Sequence, residues 1–471
     1  MQAALSQKDE KFRDFSLNGP MGRVVLYVGF PLALYQSLNQ LFKILDTMMA
    51  SHIGASAVSA VAYLSQINMM LSALGGGLAV GASIKVSQAY GAGDFVLVKK
   101  RVSTMFALCA VLGGAILLVL VPFTPEFLRL MNTPEEFIAD GSTYFRLELF
   151  GMVITFFNNV YIAIERARGN SKRILVLNTG VIVIKLVLTA WFVYGLNGDI
   201  NMISLATIVS QSLLLLAAVI NMNQKGNAFG FSLRAITFEK ETVKPMFVLS
   251  FPVIVEKIAF AMGKVVVNSM STVYGSWTVG ALGISNNIGG ITTNPQNGFQ
   301  EGGSSIISQN LGAGNPKRAL GAFRYVLYIN VVIGAVLMSM SLLCLNQLSV
   351  LFAGDNTEFA GMIAEIYRYE AMGAIPLGVN AAVMALLYGF GKTKITLAMN
   401  FCRVFLFRVP VLWALQQFTD LGNVSAGIVM AVSNIASGVL AAAVGVVEVR
   451  RICRQYGISY FGKGGEIKEE S

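Results

Sequence analysis

Nine charged side chains stand well inside long apolar stretches of this sequence: Lys43, Asp46, Lys185, Glu256, Lys257, Lys264, Glu301, Arg403 and Arg408. An ionisable group within hydrocarbon is costly, so each needs a partner or a water-filled cavity, and each is a candidate for transport chemistry. A buried carboxylate such as Asp46 can bind Na⁺ or take up a proton. A guanidinium such as Arg403 or Arg408 can hold a phosphate or carboxylate through two hydrogen bonds. Six of the nine are basic and three acidic, an excess of three positive charges if all are ionised. A substrate cleft containing Glu256, Lys264, Glu301, Arg403 and Arg408 would therefore suit an anionic or zwitterionic molecule better than a lipophilic cation. Plainer roles stay open for the same residues. Asp46 follows Lys43 by three residues and could pair with it on one helix face. Glu256 and Glu301 could simply neutralise bases in the second half of the chain.

Enzymatic chemistry has little to work with here. The chain has one histidine, His52, no Gly-x-Ser-x-Gly and no phosphate loop. Its four cysteines, Cys109, Cys344, Cys402 and Cys453, lack metal-ligand spacing. No enzyme and no cofactor are expected, and no metal beyond a Na⁺ ion that Asp46 could hold.

Membrane helices must position these charges. Of the 471 residues, 55% are hydrophobic and 13% charged, with mean hydropathy +0.64; a globular chain carries roughly 25% charge. Apolar runs of about twenty residues, each able to span the hydrocarbon core, recur along the whole length. Twelve spans can be drawn, at roughly 24–49, 57–87, 99–122, 137–165, 174–195, 202–222, 246–272, 278–309, 318–345, 359–389, 394–417 and 425–449. The expected fold is an all-α polytopic membrane protein. The polar segment 223–245 is the longest interruption, which divides the chain into an N-terminal lobe (1–222), a linker and a C-terminal lobe (246–471). The first twenty residues are polar, so no cleavable signal peptide is expected.

The net charge of +10 is an orientation signal rather than a nucleic-acid footprint. Twenty-six of the 35 basic residues fall before span 1, after the even-numbered spans or in the tail, and the opposite loops hold only Arg129. Both termini are therefore expected in the cytoplasm, with the chain in the cell membrane.

The two halves repeat each other. At an offset of 221 residues, Gly77 falls on Gly298, Gly81 on Gly302, Ser87-Gln88 on Ser308-Gln309 and Gly91-Ala92-Gly93 on Gly312-Ala313-Gly314. At 222, Arg146 falls on Arg368, Glu148 on Glu370, Gly169 on Gly391 and Asn178 on Asn400. Six spans per half make the repeats parallel. The shared glycines read as close packing and hinge. The symmetric Arg146/Glu148 and Arg368/Glu370 pairs read as structural, with a lock between lobes as one form of that role. Pro31, Pro252, Pro376 and Pro410 are candidate kinks. The site candidates are the positions that break the repeat: Asp46 opposes Val267, Glu256 opposes Tyr35 and Glu301 opposes Val80.

The stretch Phe42–Ala62, the duplicated Ser-Gln-x-x-Gly-Ala-Gly segments and Ala206-Thr207 resemble the multidrug and toxic compound extrusion (MATE) transporters. The resemblance covers nearly the whole chain. It implies two six-helix lobes in a V, a central cleft, and rocking that exports a small molecule as H⁺ or Na⁺ moves inward. Asp46 matches that family's coupling aspartate, and Thr207 its span-6 hydroxyl ligand. Thr189 stands where an aspartate is usual, and Lys185 where an asparagine is usual. The implied site has lost a carboxylate and gained an ammonium, which favours H⁺ coupling through Asp46 and Lys185; a static pair joining spans 1 and 5 is the alternative. Glu256 corresponds in part to a span-7 acid of the family, about one turn earlier. The expected partners are a small-molecule substrate and the lipid bilayer, without nucleic acid, and the expected state is a monomer. A flippase for an anionic lipid-linked precursor is the second reading.

Overall fold

The structure is a computed structural model that describes residues 5–50, 55–131, 133, 135–224, 227–354 and 356–459; side chains at 8, 43–50, 55–63, 66, 135–137, 139 and 140 are not described. Every regular element among the described residues is helical. The spans are α1 (Met21–Ala50), α2 (Ala55–Ala92), α3 (Phe95–Leu120), α4 (Glu135–Ala167), α5 (Ser171–Ala190) and α6 (Ile200–Met222). In the second half they are α7 (Lys240–Ser271), α8 (Ser276–Gly312), α9 (Pro316–Leu343), α10 (Thr357–Ala371 and Ala374–Gly389), α11 (Thr393–Phe401 and Val409–Phe418) and α12 (Val424–Tyr456). Every expected span is present. The ends differ where polar residues extend a helix beyond the apolar run, as at α12.

Local signals set the ends. Asp94 caps α3 by accepting from Leu97 N at 2.9 Å, and Asn356 caps α10 by accepting from Phe359 N at 2.9 Å. Pro316 opens α9, where a missing N–H costs nothing. The repeat is visible in the backbone. Gly93 (φ +80°) matches Gly314 (φ +76°), and Gly169 (φ +79°) matches Gly391 (φ +71°). These left-handed turns end α2, α8, α4 and α10, and glycine adopts them without strain.

The four candidate proline kinks fall into two pairs. Pro31 and Pro252 lie inside continuous helices. The breaks fall just before the other two: α10 bends by 49° between its segments ahead of Pro376, and α11 opens into a wider turn at Cys402–Leu406 ahead of Pro410. Each proline removes a backbone donor and crowds the carbonyl four residues earlier, so the preceding turn yields.

Among the described residues nine helices are long and apolar enough to cross a membrane by composition, or ten if bent α10 is one span. The remaining two spans are α1, with Arg23, Lys43 and Asp46, and α8, which is rich in Asn and Gln. At 30 and 37 residues they reach ~45 and ~55 Å, long enough to span. They are also the pair that meets between the halves: α1 packs along α8, as α2 packs along α7. One core joins α2, α3, α4 and α6 around Met105, Phe145 and Phe156. A second joins α8, α9, α10 and α12 around Phe323 and Leu386, and takes in Val24, Val28 and Leu32 of α1. The halves are thus fused along α1–α8 and α2–α7 and diverge around a cleft, the two-lobed V.

The duplicated glycines carry the fusion. Gly77 lies against Ile254, Gly81 against Ser250 and Gly298 against Ala33. The N-terminal helix Gln7–Asn18 straddles the same junction. Arg13 donates to Tyr90 O (3.1 Å) and Gly91 O (2.9 Å) in the first half. Ser16 donates to Gln309 Oε1 (2.7 Å) in the second.

Candidate functional site

Between the halves lies a cavity of about 580 Å³, lined by α1, α2 and α4 on one side and by α7, α8, α10 and α11 on the other. That volume suits a drug-sized molecule. Four of the five expected substrate residues line it: Glu256, Lys264, Glu301 and Arg403. Arg408 does not. It is buried behind the wall, where Nε donates to Ser433 Oγ (3.1 Å) and Nη2 to Asn434 Oδ1 (3.3 Å).

Glu256 is 5% exposed. Its Oε1 accepts from Tyr388 Oη (2.7 Å) and Asn400 Nδ2 (2.6 Å), and its Oε2 from Thr396 Oγ1 (2.7 Å). Thr396 and Asn400 are four apart on α11 and share a face; Tyr388 comes from α10. Its nearest base is the adjacent Lys257, which acts on it through space and not through a direct ion pair. Among the described residues all three of its partners are neutral donors, and no ion pair includes it. A carboxylate has about four acceptor positions, so three donors leave one unfilled. Tyr388, Thr396 and Asn400 were missed in the sequence, although Asn400 is a repeat position. Its counterpart Asn178 donates instead to Ile174 O of its own helix.

Glu301 pairs with Arg166 across the two halves. Arg166 is one of the basic residues that follow span 4, and the pair gives it a second role; the plainer alternative for Glu301, service to a base of its own half, gives way to a base of the other. The repeat holds the missed signal. At offset 222 Arg166 is the counterpart of Tyr388, and at 221 Tyr35 is the counterpart of Glu256. Where the second half has acid and phenol, the first has phenol and guanidinium, and its acid comes from α8. Arg166 is also tied to α8 by its carbonyl, which accepts from Ser305 Oγ (2.9 Å), and Gln309 donates to Ala167 O (2.6 Å). The pair therefore stands on a hydrogen-bonded junction that helps to hold the halves together in this state. In a double-mutant cycle on the unfolding midpoint, Arg166→Ala and Glu301→Ala are expected to couple by about 0.5–3 kcal/mol. Strictly additive losses would show that the pair contributes nothing.

The second half supplies the remaining cavity charges. Arg403 donates to Asn434 Oδ1 (2.9 Å). Its guanidinium carbon lies 5.4 Å from the centre of the Phe260 ring, and Lys264 Nζ lies 5.2 Å from the same centre. Lys257 is exposed to the cavity, with Nζ 3.9 Å from where a Cβ on Gly76 would stand. The described lining residues of the first half include Tyr35, Gln36, Met69, Ser72, Asn159 and Ile162. Apart from Arg166, the described residues of that wall are uncharged.

Of the first-half coupling candidates, Lys185, Thr189 and Thr207 lie off this cavity. The side chains of Asp46 and of its neighbour Lys43 lie outside the described residues, as does His52. Lys185 is half-buried on α5. Thr189 is fully buried, and Thr207 Oγ1 donates to Ile203 O at 3.1 Å. None of these three lines the cavity. The symmetric acids each bind within their own half: Glu148 accepts from Asn68 (2.8 Å) and Ser204 (2.7 Å), and Glu370 from Ser285. These bonds fix helices inside a lobe. Among the described residues no cluster of His, Cys, Asp and Glu could hold a metal ion.

The MatE family model matches residues 31–191 and 252–414, one match in each half. The chain is 24% identical over 402 residues to the "Probable multidrug resistance protein YoeA" of Bacillus subtilis (strain 168), covering 83% of this chain and 86% of that one. It superposes with TM-score 0.88 on an outward-facing multidrug resistance MATE family transporter of the MOP superfamily, at 20% identity, over 95% of this chain and 99% of the other. A third likeness is a MOP superfamily transporter from Pyrococcus furiosus, described by the reverse polarity of its binding pocket, with TM-score 0.87 and 20% identity over 93% of this chain and 98% of that one.

Proposed function

The chain belongs to the MatE family, whose members are membrane transporters and not enzymes, and from that premise we propose that it is an ion-gradient-driven antiporter exporting small organic compounds by alternating access. One observation carries this: a buried carboxylate, Glu256, held by three neutral donors and bordering a cavity between two pseudo-symmetric lobes. Such a group can exist with or without an ion, and only neutral dipoles need to adjust. The multidrug resistance named for the relatives supports small organic cargo, and a cavity of about 580 Å³ fits that better than a lipid-linked precursor.

The coupling ion we propose is H⁺. Glu256 is one carrier. Asp46 with Lys185, Thr189 and Thr207 is the second, because an ammonium at Lys185 would fill the place of a bound Na⁺. The cargo is anionic or zwitterionic, a preference supported by Lys257, Lys264 and Arg403 on the cavity wall. The protein is proposed to work as a monomer in the cell membrane. Both termini are cytoplasmic, on the side of the basic loops, and the lobes are 1–222 and 246–471 joined by 223–245.

Proteoliposomes with clamped membrane potential separate the ions. A pH gradient alone is expected to drive accumulation of a transported dye, and a Na⁺ gradient at equal pH is expected to drive none. A strict Na⁺ requirement would replace the ion. Indifference to both gradients would remove the antiport.

A further inference from the structure

One face of α7 carries an acid, an aromatic ring and a base at four-residue intervals: Glu256, Phe260 and Lys264, all lining the cavity. Residues four apart lie one above another on a helix, so the three form a ladder ~12 Å long from acid to base. The facing helix α11 repeats the polarity. Asn400 donates to Glu256, and Arg403, three residues on, stands beside Phe260. The cavity is therefore bipolar. Its acidic end has one open acceptor position, its basic end has Lys264 and Arg403, and Phe260 lies between them. Opposite stands the mainly uncharged wall with Met69 and Ile162.

Resting on the antiport reading above, we propose that the cargo is an amphiphilic zwitterion, its ammonium directed to Glu256, its anionic group held by Lys264 and Arg403, and an aromatic or apolar body seated along Phe260. Linkage chooses this class over the two simpler ones. An antiporter requires ion and cargo to expel each other. A purely anionic cargo would be repelled by ionised Glu256, so an ion neutralising that carboxylate would strengthen its binding, which is the sign of cotransport. A purely cationic cargo would compete with the ion but would face the repulsion of Lys264 and Arg403. A zwitterion competes at one end and is held at the other. Lys257 is the charge nearest the acidic end, and it makes no ion pair with Glu256 among the described residues; its ammonium crosses to Gly76. The other titratable groups facing that end are Tyr388 from α10 and Glu301 from α8, the latter paired with Arg166. From α11 only the neutral Thr396 and Asn400 face it.

The test uses the full chain in detergent and three compounds of one shape: 4′-(aminomethyl)biphenyl-4-carboxylic acid, its methyl ester and its N-acetyl derivative. Calorimetric titration at fixed pH is expected to rank the zwitterion at least tenfold tighter than either derivative. Lys264→Gln, a change at an exposed cavity residue, is expected to erase the advantage over the ester without weakening the ester; Arg403→Gln should act in the same direction. Lowering the pH is expected to weaken the zwitterion and the ester but not the N-acetyl acid. Tightest binding of the N-acetyl acid or of the ester overturns the proposal, and so does no binding of any of the three. If the zwitterion ranks first but Glu256→Gln leaves its pH dependence intact, the subsite stands and the coupling role of Glu256 fails.

Discussion

Gly91→Val is expected to lower the unfolding midpoint and cut transport at least tenfold, whereas Gly114→Ala should leave transport unchanged. A Cβ on Gly91 would stand 1.9 Å from the backbone oxygen of Gln309, and one on Gly312 would stand 2.0 Å from that of Gln88. The two contacts are repeat-related, so the ends of α2 and α8 cross with each glycine pressed onto the other helix's backbone. A backbone carbonyl held in a helical hydrogen bond, as Gln309 O is by Ala313 N (3.0 Å), cannot swing aside as a side-chain tip can. The helices must separate, and overpacking of this kind costs about 1–3 kcal/mol, occasionally more. The same separation would strain the bonds that tie Arg13 to Gly91 O and Ser16 to Gln309. Gly114 has nothing within 4 Å of its Cβ position. There alanine should stabilise the protein by about 0.4–1 kcal/mol, by restricting the unfolded chain. Thermal unfolding and dye transport on the two variants check the contrast. Equal behaviour would mean that this crossing is not a tight element of the working cycle.

That contrast also marks what the sequence could show. The repeat, its offset of 221 or 222 and the twelve spans were legible because helix length, small residues and turn glycines leave local signatures. The partner of each glycine was not legible, since Gly91 meets Gln309 only after two helices from different halves have packed. The site divides the same way. Glu256, Lys264, Glu301 and Arg403 stood out because charge in an apolar run is conspicuous. Tyr388, Thr396 and Asn400 did not, because a phenol, a hydroxyl and an amide are unremarkable in a membrane helix until an acid is placed beside them. Arg166 was hidden for the opposite reason. It sits among basic residues that serve orientation, and only its counterpart Tyr388 marks it as a cavity position.

Glu256→Gln is expected to abolish gradient-driven transport while leaving substrate counterflow within a few-fold of the parent. Glutamine has nearly the same shape: its one oxygen can keep the bonds from Tyr388 and Asn400, and its NH2 can donate to the Thr396 hydroxyl, which is free to accept while it donates to Thr393 O. What it lacks is a second charge state, so no proton can be exchanged there between the two sides of the membrane. Glu256→Asp should fall between the two. It can still ionise, but its carboxyl is drawn back by one methylene and cannot reach α10 and α11 together, and loss of a hydrogen bond to a charged group costs about 1.5–3 kcal/mol. Tyr388→Phe removes one donor of the three and should likewise weaken coupling without ending it. Counterflow is the informative control, because it needs the cavity and the lobe motion but no net ion movement. If Glu256→Gln loses counterflow as well, the carboxylate is a structural tie between α7, α10 and α11. If it keeps full gradient-driven transport, the coupling group is in the first half, and Asp46→Asn becomes the deciding variant. Loss of the gradient alone is the result that requires a titrating carboxylate at this position, because packing, cavity shape and lobe contacts are all retained by the amide.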